Sequence, residues 1–110
     1  MLRLAAKMAA ESKDKHKSFS LACIAQRSDG VFVFATNIIC PEHKTPSAHA
    51  EARALRKSTS NSILWVARVL KDGSWALAKP CETCQSLIIN RRVKKVYYTI
   101  GPLQYEVWNP

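Results

Sequence analysis

The sequence predicts an α/β fold with a mixed sheet, in the order helix, strand, strand, helix, strand, helix, strand. Two runs rich in β-branched and aromatic residues, Phe19 to Gln26 and Val31 to Ile38, flank Ser28-Asp29-Gly30, a hairpin signal that makes them antiparallel neighbours. After that hairpin, helix-like and strand-like segments alternate, the pattern of crossover units. A length of 110 residues, 47% hydrophobic and 23% charged, suits one soluble domain with one modest core. Residues 1–110 are therefore read as a single domain of two or three layers, without internal repeat, linker or low-complexity tract.

The elements follow in order. Leu2, Leu4, Ala5, Met8 and Ala9 recur at three- and four-residue spacing, giving an amphipathic opening helix with Arg3, Lys7 and Glu11 on its wet side. A mitochondrial transit peptide shares the Ala-rich face and Arg3, but Glu11 and Asp14 favour a first helix of the fold. The hairpin comes next. Residues 39–48, with Pro41 and Pro46, form a loop that ends where Thr45 or Ser47 can cap a helix running from Ala48 to Lys57. A polar cluster at 58–62 ends this helix, Ile63 to Leu70 is a third strand, and Lys71-Asp72-Gly73 turns the chain into a short extended piece, Trp75 to Ala78. Pro80 suits a first helical turn, where its missing donor has no partner to lose, so a helix spans Cys81 to Asn90. Val93 to Ile100 is the last clear strand, broken by Gly101-Pro102, and the tail carrying Trp108 is left unassigned.

Composition narrows the function classes. No apolar run approaches the 18 or so residues of a membrane-spanning helix, and Met1 to Lys17 lacks the apolar centre of a secretory signal, so an intracellular, cytoplasmic protein with no membrane partner is expected. Seventeen Lys and Arg against eight Asp and Glu give a formal charge of +9, gathered at Lys13, Lys15 and Lys17 and at Arg91, Arg92, Lys94 and Lys95. Such a charge serves solubility and equally draws phosphate-bearing substrates or nucleic acid. Disulfides are rare in reducing compartments, so Cys23, Cys40, Cys81 and Cys84 are better read as metal or catalytic thiols. Cys23 alternates with apolar strand neighbours and reads as a small core residue.

The chemistry gathers at two helix starts. His49-Ala50-Glu51 opens one helix and Pro80-Cys81-Glu82-Thr83-Cys84 the next. In a crossover layout both starts lie outside the carboxyl ends of strands, at one edge of the sheet. One imidazole and two thiolates make a three-ligand zinc site whose fourth position is left for water, and zinc lowers the pKa of such a water to about 7. Helix N-termini favour thiolate at Cys81 and Cys84, and Glu51 can move the proton of that water.

The pair of motifs, H-A-E and P-C-E-T-C, resembles the cytidine deaminase superfamily of zinc-dependent base deaminases, and the likeness in element order covers about residues 2–100. The resemblance implies an α-β-β-α-β-α-β sandwich with a mixed sheet and the antiparallel hairpin first. It implies Zn2+ held by His49, Cys81 and Cys84, with Glu51 as the catalytic proton shuttle, in a hydrolysis that replaces the amino group of a base by oxygen and releases ammonia. It also implies substrate contacts from Asn37, toward the sugar or base, and from the backbone amide of Ala50, toward the base carbonyl. Pro80 to Asn90 followed by Val93-Lys-Lys-Val-Tyr-Tyr is most similar to deoxycytidylate-type deaminases, whereas Thr45-Pro-Ser-Ala-His-Ala-Glu resembles tRNA adenosine and guanine deaminases. The chain is shorter than most of these relatives and inserts Lys71-Asp-Gly-Ser before the ligand helix. Cytosine in a free nucleotide or nucleoside is the expected substrate, with a homo-oligomer completing the pocket.

Two other readings use the same residues. An editing deaminase acting on tRNA or single-stranded DNA would use the +9 charge along a strand. A basic zinc module that binds nucleic acid without catalysis would pair Cys40-x-x-His43 with Cys81-x-x-Cys84 in a closed four-ligand site, and leaves His49 and Glu51 without a role. A thioredoxin-like pair at Cys81 and Cys84 rests on C-x-x-C alone, and His16 reads as solvated. Trp65, Trp75, Tyr97 and Tyr98 can stack on a base, although most lie in strands and suit core packing; Trp75, a few residues upstream of the ligand helix, is the pocket candidate among them.

Overall fold

The computed structural model describes residues 1–11, 19–36, 50–58, 60–70 and 72–110. Among the described residues three helices, α1 (Leu2–Glu11), α2 (Ala50–Leu55) and α3 (Glu82–Asn90), accompany strands β1 (Phe19–Gln26), β2 (Phe32–Thr36), β3 (Ile63–Leu70), β4 (Trp75–Ala76), β5 (Lys95–Gly101) and β6 (Gln104–Trp108). The strands make one mixed sheet in the order β2-β1-β3-β5-β6, with β4 pairing beside β3. Among the described residues only β3 and β5 pair in parallel, joined by the crossover through α3, while β1 runs antiparallel to both β2 and β3.

The β1–β2 hairpin closes as its Asp-Gly pair demands. Gly30 sits at φ 87, its amide donates to the Arg27 carbonyl at 2.9 Å, and the Asp29 carboxylate accepts from the Val31 amide at 3.1 Å. The β3–β4 turn repeats the device, with Gly73 at φ 87 and the Ser74 amide and hydroxyl both donating to Asp72 Oδ1, at 2.9 and 2.6 Å.

The period-2 alternation of the strands sorts the core into two halves. Cys23, Ala25, Leu64, Val66, Val96 and Tyr98 face α2 and α3, where Ala50, Ala54, Leu55 and Ile88 meet them. Ala22, Ile24, Ala67 and Val69 face the other way, onto Ala5, Ala6 and Ala9 of α1. The arrangement is thus helix on sheet on helix, a three-layer sandwich, with α2 and α3 on one face and α1 on the other. Alanines at the contact let α1 approach closely, and this moves the buried stripe from the predicted one: Ala6 is buried, whereas Leu4 is 42% exposed.

Helix and strand bounds also differ from expectation. The second helix ends at Leu55 rather than Lys57 and β2 begins at Phe32 rather than Val31, while the expected helix start at Ala48 and strand end at Ile38 lie outside the described residues. The tail left unassigned is β6, antiparallel to β5 from Val96↔Trp108 to Gly101↔Gln104. Among the described residues no helix is long and apolar enough to cross a membrane.

Candidate active site

Strands β2, β3 and β5 all run the same way, because β2 and β3 each pair antiparallel with β1 and β5 pairs parallel with β3. α2 leads back to the start of β3 and α3, after the two-residue antiparallel β4, leads back to the start of β5, so both helices begin at the edge of the sheet outside the carboxyl ends of those strands. There the start of α2 meets the start of α3.

The start of α3 is set by Cys81. Its backbone is extended, φ −68 and ψ 167, its carbonyl accepts the first helical bond from Gln85 N at 2.8 Å, and its side chain makes no capping hydrogen bond. Gln85 instead reaches back over the first turn, with Nε2 donating to the Pro80 carbonyl at 2.7 Å. The exposed Cys81 sulfur is thereby left to face Cys84, with which it shares a hydrogen bond. Cys84, one helical turn on, is 1% exposed.

The start of α2 presents Ala50 and Glu51, both buried, with Glu51 only 4% exposed. The helix is tied to β2 by two cations that donate to strand carbonyls, Arg53 Nη1 to Thr36 and Lys57 Nζ to Phe34, the latter at 2.8 Å.

Electrostatics bind these groups into one cluster. Burial raises the Glu51 carboxyl to about 6, against a smaller opposing hydrogen bond from its own amide. Burial also pushes the Cys84 thiol well above its ordinary range, with Glu51 and then Cys81 adding to the effect. Cys23, fully buried on β1, is pushed up by burial first, then by Glu51 and Cys84. Cys81 at the cap and Cys84 in the first turn of α3 offer two sulfur donors side by side, and sulfur donors select zinc among the common divalent cations. The chemistry of the described part of the site fits zinc. Among the described residues alone no cluster of three or more His, Cys, Asp or Glu completes a metal site. His49, immediately before Ala50 in sequence, lies outside the described residues, as do Asn37, Cys40, His43, Thr45, Ser47, His16 and the lysines at 13, 15 and 17.

The structure thus brings together Ala50, Glu51, Cys81 and Cys84. It does not bring Trp75 to them. Trp75 pairs with Val69 across β3–β4 and packs with the α1 half of the core, on the face away from Glu51 and Cys84. Strand alternation, rather than nearness in sequence to α3, decides where that ring points. Cys23 was read as a core residue and is one, yet it also lies within electrostatic reach of the site, a placement that its neighbours in sequence do not signal. The basic residues Arg91, Arg92, Lys94 and Lys95 follow the end of α3 and open β5, at the opposite edge of the sheet.

Residues 1–100 match the family model described as the cytidine and deoxycytidylate deaminase zinc-binding region. No curated protein sequence matches the chain significantly. Among solved structures, cytidine deaminase from Burkholderia pseudomallei is similar with a TM-score of 0.72 at 18% identity, over 98% of this chain and 89% of that one. Cytidine deaminase from Mycobacterium leprae gives 0.66 at 15% identity, over 97% and 89%, and that from Mycobacterium tuberculosis 0.63 at 18%, over 93% and 85%. At these identities the likeness is one of fold.

Proposed function

Because the chain belongs to the cytidine and deoxycytidylate deaminase family, we propose that it is a zinc-dependent hydrolase that converts cytosine to uracil in a free nucleoside or nucleotide. The observation that carries the reading is the meeting of a buried carboxyl, Glu51, with the buried thiol of Cys84 at the facing starts of α2 and α3.

His49, Cys81 and Cys84 would hold the zinc, which when bound supplies the Lewis acidity that makes water a nucleophile at neutral pH. The rest falls to the chain. Water adds at the ring carbon bearing the amino group, Glu51 takes its proton, and the same carboxyl returns protons to the ring nitrogen and then to the departing amino group, so that water and cytosine leave as uracil and ammonia. A carboxyl raised to about 6 is suited to both halves of that transfer near neutrality. The Ala50 amide donates to the base carbonyl, and Asn37 binds the sugar or base.

The similar solved structures are cytidine deaminases by name, which supports a cytosine substrate. The Arg91 to Lys95 cluster sits at the sheet edge away from Glu51 and Cys84, which favours a small substrate over a long strand led through the site. A cytoplasmic homo-oligomer is part of the same reading.

The test is ammonia release by the zinc-loaded protein from cytosine, cytidine, deoxycytidine, CMP, dCMP, their adenine and guanine counterparts, and short single-stranded DNA and RNA, each beside Glu51→Gln. Turnover of a monomeric cytosine substrate that Glu51→Gln abolishes is expected. Turnover confined to oligonucleotides would replace the reading with an editing enzyme, and zinc binding without any turnover would leave a structural zinc module.

A further inference from the structure

On the face of the sheet away from Glu51 and Cys84, the start of α1 and the β5–β6 end of the sheet enclose a cleft of about 400 Å³. That volume lies within the range of small-molecule sites. Its walls include Trp65, Trp75, Tyr97, Tyr105, Leu103 and Arg3. Three of the rings form a continuous series: Trp65 and Tyr97 stack at 5.7 Å and 8°, and Tyr97 meets Tyr105 at 6.2 Å and 51°.

The polar side chains of the cleft all offer hydrogen-bond donors. Arg3 contributes a guanidinium that has no ion pair or hydrogen bond among the described residues, and Tyr97 and Tyr105 contribute hydroxyls in the same condition. No Asp or Glu lines it. Aromatic walls take a flat ring, and a guanidinium with phenol donors takes an oxyanion.

Leu103 supplies an independent observation. It is the second residue of the Pro102-Leu103 turn between β5 and β6, at φ 56 and 72% exposed. Proline fixes its own φ near −65°, so the turn passes the positive φ to position 103, where glycine or asparagine is the usual occupant. An exposed leucine there carries backbone strain and gains no burial, a combination that points from the outlier toward a function. Its side chain stands on the wall of the cleft.

We propose that this cleft is a second binding site, distinct from the Glu51–Cys84 cluster, for a planar aromatic molecule bearing an anionic group, phosphate or carboxylate. The ring inserts among Trp65, Trp75 and Tyr97 under Leu103, and the anion meets Arg3.

The test is quenching of tryptophan fluorescence in the full chain by AMP, adenosine, inorganic phosphate and indole-3-acetate. Saturable quenching by AMP or indole-3-acetate is expected, about tenfold tighter than by adenosine. The tighter of the two anions identifies phosphate or carboxylate as the group recognised. Arg3→Gln is expected to erase the preference for the anion and leave ammonia release unchanged. Leu103→Gly is expected to keep or raise thermal stability while weakening binding several-fold, an opposition that a purely structural leucine would not produce. Adding a zinc chelator should leave the titration as it was. Quenching by none of the probes, equal binding by parent, Arg3→Gln and Leu103→Gly, or loss of quenching with the chelator would each overturn the proposal. None of these outcomes depends on whether cytosine is the catalytic substrate.

Discussion

In protein stripped of zinc by a chelator, Glu51 should make the fold less stable as the pH rises through the weakly acidic range. Its carboxyl is 4% exposed and is raised from 4.5 to about 6, because burial disfavours the charged form. Between these two values the folded chain holds a proton that the unfolded chain has lost, so stability falls with pH, starting near 4.5 and levelling off above about 6. A shift of that size corresponds to about 2 kcal/mol, or roughly 8 °C in melting temperature for a domain of this length. Glu51→Gln keeps the shape and removes the titration. The assay is thermal or urea unfolding of both proteins from pH 4 to pH 8 with chelator present, read as parent minus variant so that other titrating groups cancel. The difference should be near its most favourable for the parent below pH 4.5 and drop by about 2 kcal/mol by pH 7. A flat difference, or one that rises with pH, would refute the argument that Glu51 is held in an environment hostile to its charge.

Other outcomes follow from the packing and the site. Ile88→Ala, at a fully buried position between α3 and the sheet, should cost about 2–5 kcal/mol in urea unfolding. Thr99→Val should cost about 1–3 kcal/mol and expose the β4 amides to faster hydrogen exchange, because Thr99 Oγ1 donates to the Ala76 carbonyl at 2.6 Å and accepts from the Arg68 amide at 3.2 Å. Cys84→Ser should lower the zinc retained after dialysis, measured by atomic absorption, while Cys23→Ser should retain it, since Cys23 lies on β1 and is not assigned as a ligand.

Where the sequence spoke through periodicity, it was legible almost to the residue. Ile63 to Leu70 is β3, the Asp29-Gly30 turn closes the hairpin it announces, and Asp72-Gly73 is the turn expected there. The third helix was placed by Pro80, and Cys81 is its cap residue. Strand β6 escaped because its turn is Pro-Leu: with leucine at the positive-φ position, the glycine that usually marks such a reversal is missing. Tyr105 and Val107 do alternate with Glu106 and Trp108, but five residues after a Gly-Pro break are a short pattern to read. Trp75 was drawn to the site by its distance along the chain, whereas its side is fixed by register with Val69. The meeting of Glu51 with Cys84 was legible because both motifs sit at helix starts, and parallel topology gathers such starts at one edge.

Thr99 has a consequence for how the length of this chain can vary. Beyond Val66 the pairing of β3 passes from β5 to β4, and the Thr99 side chain holds the Ala76 carbonyl while its own carbonyl accepts the Ala78 amide at 2.8 Å. Only Lys79 and Pro80 then separate pinned backbone from Cys81. One residue added there would displace the sulfur by up to about 3.5 Å, against a tolerance of about 0.2 Å for a metal–ligand bond. The turn at Asp72, Gly73 and Ser74, by contrast, lies upstream of the pin and can lengthen without moving the cysteine. Insertions should therefore be accepted before β4 and rejected after it.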